Sequence, residues 1–373
     1  MSKNRGESLM KKILFAAHNL DLGGIETALV TLVNDLSERG YDITIALEKR
    51  EGVFLDRLSK KIKVIEYNTN NSKNIIFRKI CNLLNRIKFI IKYKNHFDFS
   101  ASFATYSLAS SFMARTASKN SALWCHADYL SLYHGDKNKM IAFFENLHCK
   151  EFKHILFVSN EGKNHFIESF PEMKEKVMVC NNMINGKDII EKSKEAITEE
   201  VVLELAKKEI PIFLNVGRHD ELQKKLTRMI EASKKLKEDG FLFKVLLVGD
   251  GPDTKLYEDL VIKYGLEDTI LFLGRKKNPY PYFTMSDCII LSSDYEGYPV
   301  VYLESFVLHK PIITTKVSDY EQVENGRGMV VEKDTQAIYM AMKEFIQNGY
   351  EIKNSFDYEA YNENIVKILE TIF

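Results

Sequence analysis

SSDYEGYPVVYLES, residues 292–305, decides how this chain reads. Two acids, Glu296 and Glu304, stand eight residues apart, with a glycine, a proline and apolar residues between them. The run CIILSS that leads into the stretch is short and apolar and ends in small polar residues, as a buried strand does. Pro299 suits the first turn of a helix, where its missing N–H costs nothing. The peptide therefore reads strand, loop, helix. Glu296 falls on the loop, and Glu304 lies inside the helix, roughly 7 Å along its axis from Pro299. A helix start offers unpaired backbone N–H groups and the positive end of a dipole, which suit phosphate or sugar oxygens. With a carboxylate on each side, such a place can hold a polyhydroxylated, phosphorylated ligand.

Working outward, short apolar runs alternate with segments of helical period along the whole chain. In the first half strands are expected at 12–17, 42–47, 62–67, 97–103, 122–126, 155–159 and 176–180. Between the first two, Ile25, Leu29, Leu32, Val33 and Leu36 repeat at helical spacing before Gly40. A charged, strand-poor stretch, 186–200, reads as a helical connector. The pattern then restarts, with strands expected at 211–217, 243–251, 271–273, 288–293 and 311–315 and a final helix over 358–372. Strands that alternate with helices imply parallel, doubly wound α/β sheets. The organisation expected is a loose leader at 1–10, a first Rossmann-like domain at 11–190, a second at 200–350 and a C-terminal helical segment at 351–373.

The bulk numbers fit this outline. A chain of 373 residues is long for one core and comfortable for two. Its 52 basic and 52 acidic residues cancel, so no global field points to nucleic acid, and none is expected as a partner. Cys81, Cys125, Cys149, Cys180 and Cys288 are odd in number and scattered. That fits a reducing compartment and excludes a disulfide framework or a Cys-x2-Cys zinc site. No run of 18 apolar residues offers a membrane span, and MSKNRGESLM lacks the apolar block of a signal peptide. A cytoplasmic protein is expected.

Further constellations carry chemistry. Gly23 and Gly24 stand between the first strand and the first helix, where paired glycines let a backbone approach a ligand closely. The dinucleotide fingerprint GxGxxG is absent. In NVGRHDELQKK, Arg218 follows a strand end and Lys224 comes six residues later. Two cations on one loop can clamp a diphosphate and stabilise the charge that builds on it as it departs. His126 ends a strand at the edge where open α/β sheets bind ligands, and His18 has a similar but weaker claim. No Asp-x-Asp or His–Cys grouping is present, so neither metal nor cofactor is expected. From Lys73 to Phe97 there is no acid, and basic residues alternate with Ile, Leu and Phe. This basic amphipathic helix suits an anionic membrane surface, or else a core helix with a solvated basic face.

The 292–305 stretch resembles the Glu-x7-Glu signature of retaining glycosyltransferases of the GT-B fold. These are glycosyltransferase family four, the large family that includes sucrose synthases and mannosyltransferases, and the likeness is to its bacterial surface-polysaccharide type. It covers about residues 11–370. The resemblance implies two Rossmann-like domains facing across a cleft, with the final helix crossing back to the first. It implies transfer from a UDP- or GDP-sugar to a saccharide or lipid-linked acceptor, without a metal, in capsule, exopolysaccharide or lipopolysaccharide synthesis. Residue by residue, Gly23–Gly24–Ile25–Glu26 matches a loop that approaches the diphosphate and sugar. Arg218 and Lys224 match the diphosphate clamp, with Lys225 where the family has glycine; which lysine points inward stays open, with Lys224 preferred. Val248–Pro252 matches an architectural turn, and Arg275 and Lys276 match nucleotide contacts made through the backbone. Glu304 would hold the ribose and Glu296 the donor sugar, with Gly297, Tyr298, Val300 and Val301 lending backbone N–H groups. His126 would contact the sugar. Because many members act on lipid-linked acceptors, 73–97 would seat the protein on the inner face of the membrane. A GT-B sugar-nucleotide epimerase, or an inactive nucleotide-sugar-binding protein, would carry the same frame. Arg218, Lys224 and both glutamates speak against the inactive form.

Overall fold

The computed structural model describes residues 10–21, 23–70, 72–205 and 209–373. The expected leader, apart from Met10, lies outside these. The chain divides into two compact units: one runs to Met183 and takes in Asn362–Phe373, and the other is Ile184–Tyr361.

The first unit holds a parallel seven-stranded sheet of β1 (Lys12–Ala17), β2 (Asp42–Leu47), β3 (Lys63–Glu66), β4 (Phe99–Ser102), β5 (Ser121–Cys125), β6 (His154–Phe157) and β7 (Val177–Val179). Its order is β3-β2-β1-β4-β5-β6-β7. The second unit holds β8 (Ile212–Val216), β9 (Lys244–Val248), β10 (Ile270–Gly274), β11 (Cys288–Leu291), β12 (Ile312–Thr315) and β13 (Gly328–Val331), in the order β10-β9-β8-β11-β12-β13. Both sheets are parallel throughout, and their central strands are buried. Parallel sheets covered on both faces require this. Strand order reverses between β1 and β4 and between β8 and β11, and such switch points are where open α/β sheets leave a crevice.

Sequence periodicity finds twelve of these strands and misses β13, GMVV. Close packing explains the turn after β9. A Cβ on Gly249 would come 1.8 Å from the Gly217 carbonyl oxygen, and one on Gly251 would come 2.2 Å from that of His219. The glycines let the loops after β8 and β9 lie backbone against backbone.

Helix Ile75–Tyr93 breaks the ordinary rule for amphipathic helices. Only Phe89 is buried, while Ile76 and Ile91 are 73% and 80% exposed. Its asparagines face inward instead. Asn82 Nδ2 donates to the Asn70 carbonyl at 3.2 Å and Asn85 Nδ2 to that of Asn68 at 2.7 Å. Phe89 packs on Tyr67 and Phe112, and the Arg86 guanidinium lies 5.0 Å over the Phe112 ring. The core-helix alternative raised by the sequence therefore does not hold: the apolar stripe is outside. Among the described residues no helix is long and apolar enough to cross a membrane.

Candidate active site

In the second unit the switch point brings together the loops after β8 and β11. The Asp294 N–H donates to the Gln223 carbonyl at 2.8 Å, and Ser292 Oγ to that of Lys224 at 2.9 Å. Arg228 Nη1 donates to the Ser292 carbonyl at 3.1 Å, and its other end lies 2.6 Å from Asp294 Oδ1. On this trellis Lys224 Nζ reaches Glu296 Oε1 at 2.6 Å, with the two side chains 22% and 8% exposed. Ser293 Oγ donates to the same oxygen at 2.7 Å, and Gln223 Nε2 to the other at 3.3 Å. Ser318 Oγ holds the Glu296 carbonyl at 2.7 Å. A shielded carboxylate this fully bonded is fixed in direction.

The structure separates the two lysines. Lys224 points inward to Glu296, while Lys225 lies 4.0 Å from Glu221 and 3.8 Å from Asp294. Lys225 caps helix Leu226–Glu238 with φ 49° and ψ 44°, the left-handed conformation that glycine adopts without strain. That conformation gives a physical reason for glycine at this position. Lys224 precedes the helix rather than opening it. Arg218 is 61% exposed, with Nη2 3.0 Å from Asp220 Oδ2 and 3.3 Å from Gln223 Oε1.

Glu304 is the fifth residue of helix Val300–Val307. Desolvation pushes its carboxyl up to about 7, opposed by the Tyr280 hydroxyl, which donates to Oε1 at 3.2 Å. Pro299 is the residue before the helix rather than its first, in extended conformation. Val300 and Val301 stand in the first turn, where N–H groups have no partner within the helix. Gly297 is half-buried, and the Tyr298 ring is turned into the protein. Arg275 follows β10 and is exposed. The Lys276 ammonium is bound to Glu199, which also accepts from the Tyr282 hydroxyl at 2.7 Å. The Lys276 bond, then that from Tyr282, holds the Glu199 carboxyl down at about 2.

In the first unit, Gly23 caps helix Gly24–Glu38 in extended conformation. A Cβ on Gly23 would meet Glu26 Oε2 at 2.1 Å, whereas the space around Gly24 is open. Glycine at 23 thus lets the Glu26 carboxylate fold back on the helix start, where Tyr106 donates to it at 3.4 Å. Desolvation raises the Glu26 carboxyl. His126 follows β5, its ring centroid 4.4 Å from that of Phe103 and parallel to Trp124. Both its ring nitrogens are buried without a hydrogen-bond partner among the described residues. Burial, partly offset by the Phe103 backbone, lowers its pKa to about 3, so the ring is neutral at pH 7. His18 Nδ1 lies 3.4 Å from Glu48, a buried carboxylate also bonded to Ser107.

Sequence reading missed Gln223, which touches both Arg218 and Glu296, and it missed a group in the first unit. Ligand atoms of Asp128, Glu161 and His165 lie within 4.8 Å of one another. Asp128 is already engaged: it accepts from the Leu130 N–H, Ser131 Oγ and His165 Nδ1. The 33 residues from Asp128 to Glu161 hide this group from any spacing rule.

Residues 22–186 match the model of glycosyltransferase family 4, and residues 197–363 that of glycosyl transferases group 1. An uncharacterized glycosyltransferase of Methanocaldococcus jannaschii is 23% identical over 264 residues, 68% of this chain and 64% of that protein. A putative colanic acid biosynthesis glycosyltransferase of Salmonella typhimurium is 28% identical over 183 residues, 43% of this chain and 45% of that one. The matches thus span less than two thirds of either relative. Over 97% of this chain and 100% of the other, the structure superposes on that of Anabaena HepE in complex with UDP-glucose, with a TM-score of 0.74 at 19% identity. That likeness, with two parallel Rossmann-like sheets, is the GT-B fold. The first half of the chain is thus similar to the glycosyltransferase family 4 domain and the second half to the group 1 glycosyl transferase domain.

Proposed function

We propose that this protein transfers a sugar from a UDP-sugar to a saccharide or lipid-linked acceptor, with retention of configuration and without a metal, in the assembly of a surface polysaccharide. The observation that carries the proposal is the shielded Lys224–Glu296 pair at the second switch point, with Arg218 on the same loop. The bond to the anomeric carbon breaks toward the nucleoside diphosphate, and negative charge grows on its β-phosphate. Lys224 and Arg218 meet that charge with cations already in place, so little reorganisation is required. Glu296 orients Lys224 and accepts from hydroxyls of the donor sugar, and Glu304 accepts from the ribose. The acceptor oxygen attacks from the leaving group's face and passes its proton to the departing phosphate oxygen. The bond is remade on that face without a carboxylate nucleophile. Neutral His126 offers a ring nitrogen to a sugar hydroxyl. HepE is seen with UDP-glucose and a relative is named for colanic acid biosynthesis, which supports the choice of donor and pathway class.

Helix Ile75–Tyr93 supports a lipid-linked acceptor. Ile75, Ile76, Phe77, Ile80, Leu83 and Leu84 are each more than half exposed, beside Arg78, Lys79, Arg86 and Lys88. Apolar and basic residues on one outward helix fit the interface of an anionic bilayer, here the inner face of the cell membrane.

The test combines thermal shift with product analysis. UDP, UDP-glucose, GDP and GDP-mannose are screened, and transfer to lipid-linked saccharides is followed in excess chelator by NMR of the new linkage. A UDP-sugar should stabilise the protein and an α-donor should give an α-product. An inverted product, or turnover abolished by chelator and restored by magnesium, would overturn the mechanism. Turnover of donor without acceptor to an epimerised nucleotide-sugar would overturn the reaction class.

A further inference from the structure

Tyr298 stands two residues after Glu296, yet its ring is 5% exposed and turned away from the loop's open side. Its hydroxyl donates to Gln322 Oε1 at 3.0 Å and accepts from the Tyr361 hydroxyl at 3.2 Å. Tyr361 is the last residue of the second unit. The same stretch grips the helix that bears Glu304. Arg327 Nη1 donates to the Gln322 carbonyl at 3.2 Å and Nη2 to the Ser355 carbonyl at 3.0 Å. Its guanidinium lies 4.9 Å over Phe306 and 5.7 Å over Phe356, and Phe356 in turn packs 5.3 Å from Tyr361. A chain of hydroxyl, hydroxyl and amide thus runs from Tyr361 through Tyr298, on the loop that bears Glu296, to Gln322.

We propose that Tyr361 is a positioning residue for the donor loop: through Tyr298 and Gln322 it fixes the Glu296–Tyr298 backbone in the direction that transfer requires. This deepens the reading of the site given above and rests on it for the donor, but not for the loop. Ser318 Oγ holds the Glu296 carbonyl at 2.7 Å, and Gly297, which follows, has no side chain to anchor the loop further. The buried Tyr298 ring is the second anchor, and it is directional only while both of its hydroxyl's bonds are made. A bare apolar ring would fill the space without fixing the loop's rotation.

The test uses Tyr361→Phe, which keeps the ring against Phe356 and removes only the hydroxyl. Hydrogen exchange of the ligand-free protein is read on the peptide 292–301, alongside Tm, UDP affinity by calorimetry, and kcat and KM for UDP-glucose hydrolysis. Exchange in that peptide should quicken about three- to ten-fold, the size of one net hydrogen bond, while Tm and other peptides stay unchanged. The kcat should fall by a similar factor with UDP affinity intact. Tyr298→Phe should do the same, and the double variant should fall no further than either single one. Unchanged exchange in the loop, faster exchange everywhere, or additive losses in the double variant would each overturn the proposal. If the wild type turns over no UDP-glucose, the donor assignment fails, and exchange in the loop still decides the role of Tyr361.

Discussion

The C-terminal ends of the two sheets handle polarity in opposite ways. The second is dense with charge, and each charge is answered: Lys224 by Glu296, Arg228 by Asp294, Lys276 by Glu199, Arg218 by Asp220. The first keeps a neutral imidazole, His126, with both nitrogens buried and unbonded, beside an uncovered Gly24. Its helix Ile75–Tyr93 turns apolar residues outward. The difference follows from what each end would meet. A diphosphate brings two or more charges and demands cations held in advance, which carboxylates can hold until it arrives. A sugar hydroxyl brings no charge. An orphan nitrogen, costing about 1–3 kcal/mol while unpaired, is a place such a hydroxyl can fill.

The largest effect should come from the charged end. Lys224→Ala leaves shielded Glu296 without its cation and the departing phosphate without its partner, so kcat for UDP-glucose should fall about 100-fold or more. Lys225→Ala should cost far less, because that ammonium faces Glu221 and Asp294 at 3.8–4.0 Å. Equal losses in steady-state turnover would erase the distinction between the two lysines.

At the apolar end, reversing Arg86, Lys88 and Lys92 to Glu should lower partition onto anionic vesicles by about 100-fold, since each of the three cations near such a surface is worth about 1 kcal/mol. Nucleotide affinity should not move. Sedimentation with anionic and neutral vesicles reads the first quantity and calorimetry the second. Equal partition onto both vesicle types would show that the exposed stripe serves something other than an anionic bilayer.

Glu304 sharpens the comparison through pH. Its folded pKa of about 7 lies above the ordinary 4.5, so the folded protein holds this proton more tightly than the unfolded chain. The stability it contributes is complete below about 4.5 and lost as pH rises through 7. Tm of the wild type should therefore fall relative to Glu304→Gln between pH 5 and pH 8. If the carboxylate holds the ribose hydroxyls as proposed, UDP affinity should rise about ten-fold from pH 6 to pH 8 in the wild type and stay flat in the variant. A flat wild-type profile would separate Glu304 from the ribose.

The smallest effect concerns backbone strain at Lys225. At φ 49°, glycine should be tolerated within about 1 kcal/mol, whereas Lys225→Val should destabilise by about 1–2 kcal/mol and lower Tm by a few degrees. If valine is as stable as lysine, the left-handed conformation is not the reason for glycine at this position.

The amino-acid order by itself determined the alternation of strands and helices, because short apolar runs bounded by turn residues recur between longer segments of helical period. It also determined where the chemistry gathers. GR in NVGRHDELQKK and EGYP in SSDYEGYPVVYLES each follow such a run, so they must sit at the same edge of one parallel sheet. It left β13, GMVV, unseen. Tertiary structure alone decided which groups meet. Lys224 rather than Lys225 faces Glu296, because the chain turns at Lys225, which is itself in the left-handed conformation. Asp128 meets His165, and Tyr298 meets Tyr361, across separations that no spacing rule reaches. Helix Ile75–Tyr93 shows the limit most plainly. Its period places Ile, Leu and Phe on one stripe, and nothing in that period says whether the stripe finds a core. Two asparagines, bonded to the turn after β3, hold the other side inward and leave the stripe to the surface.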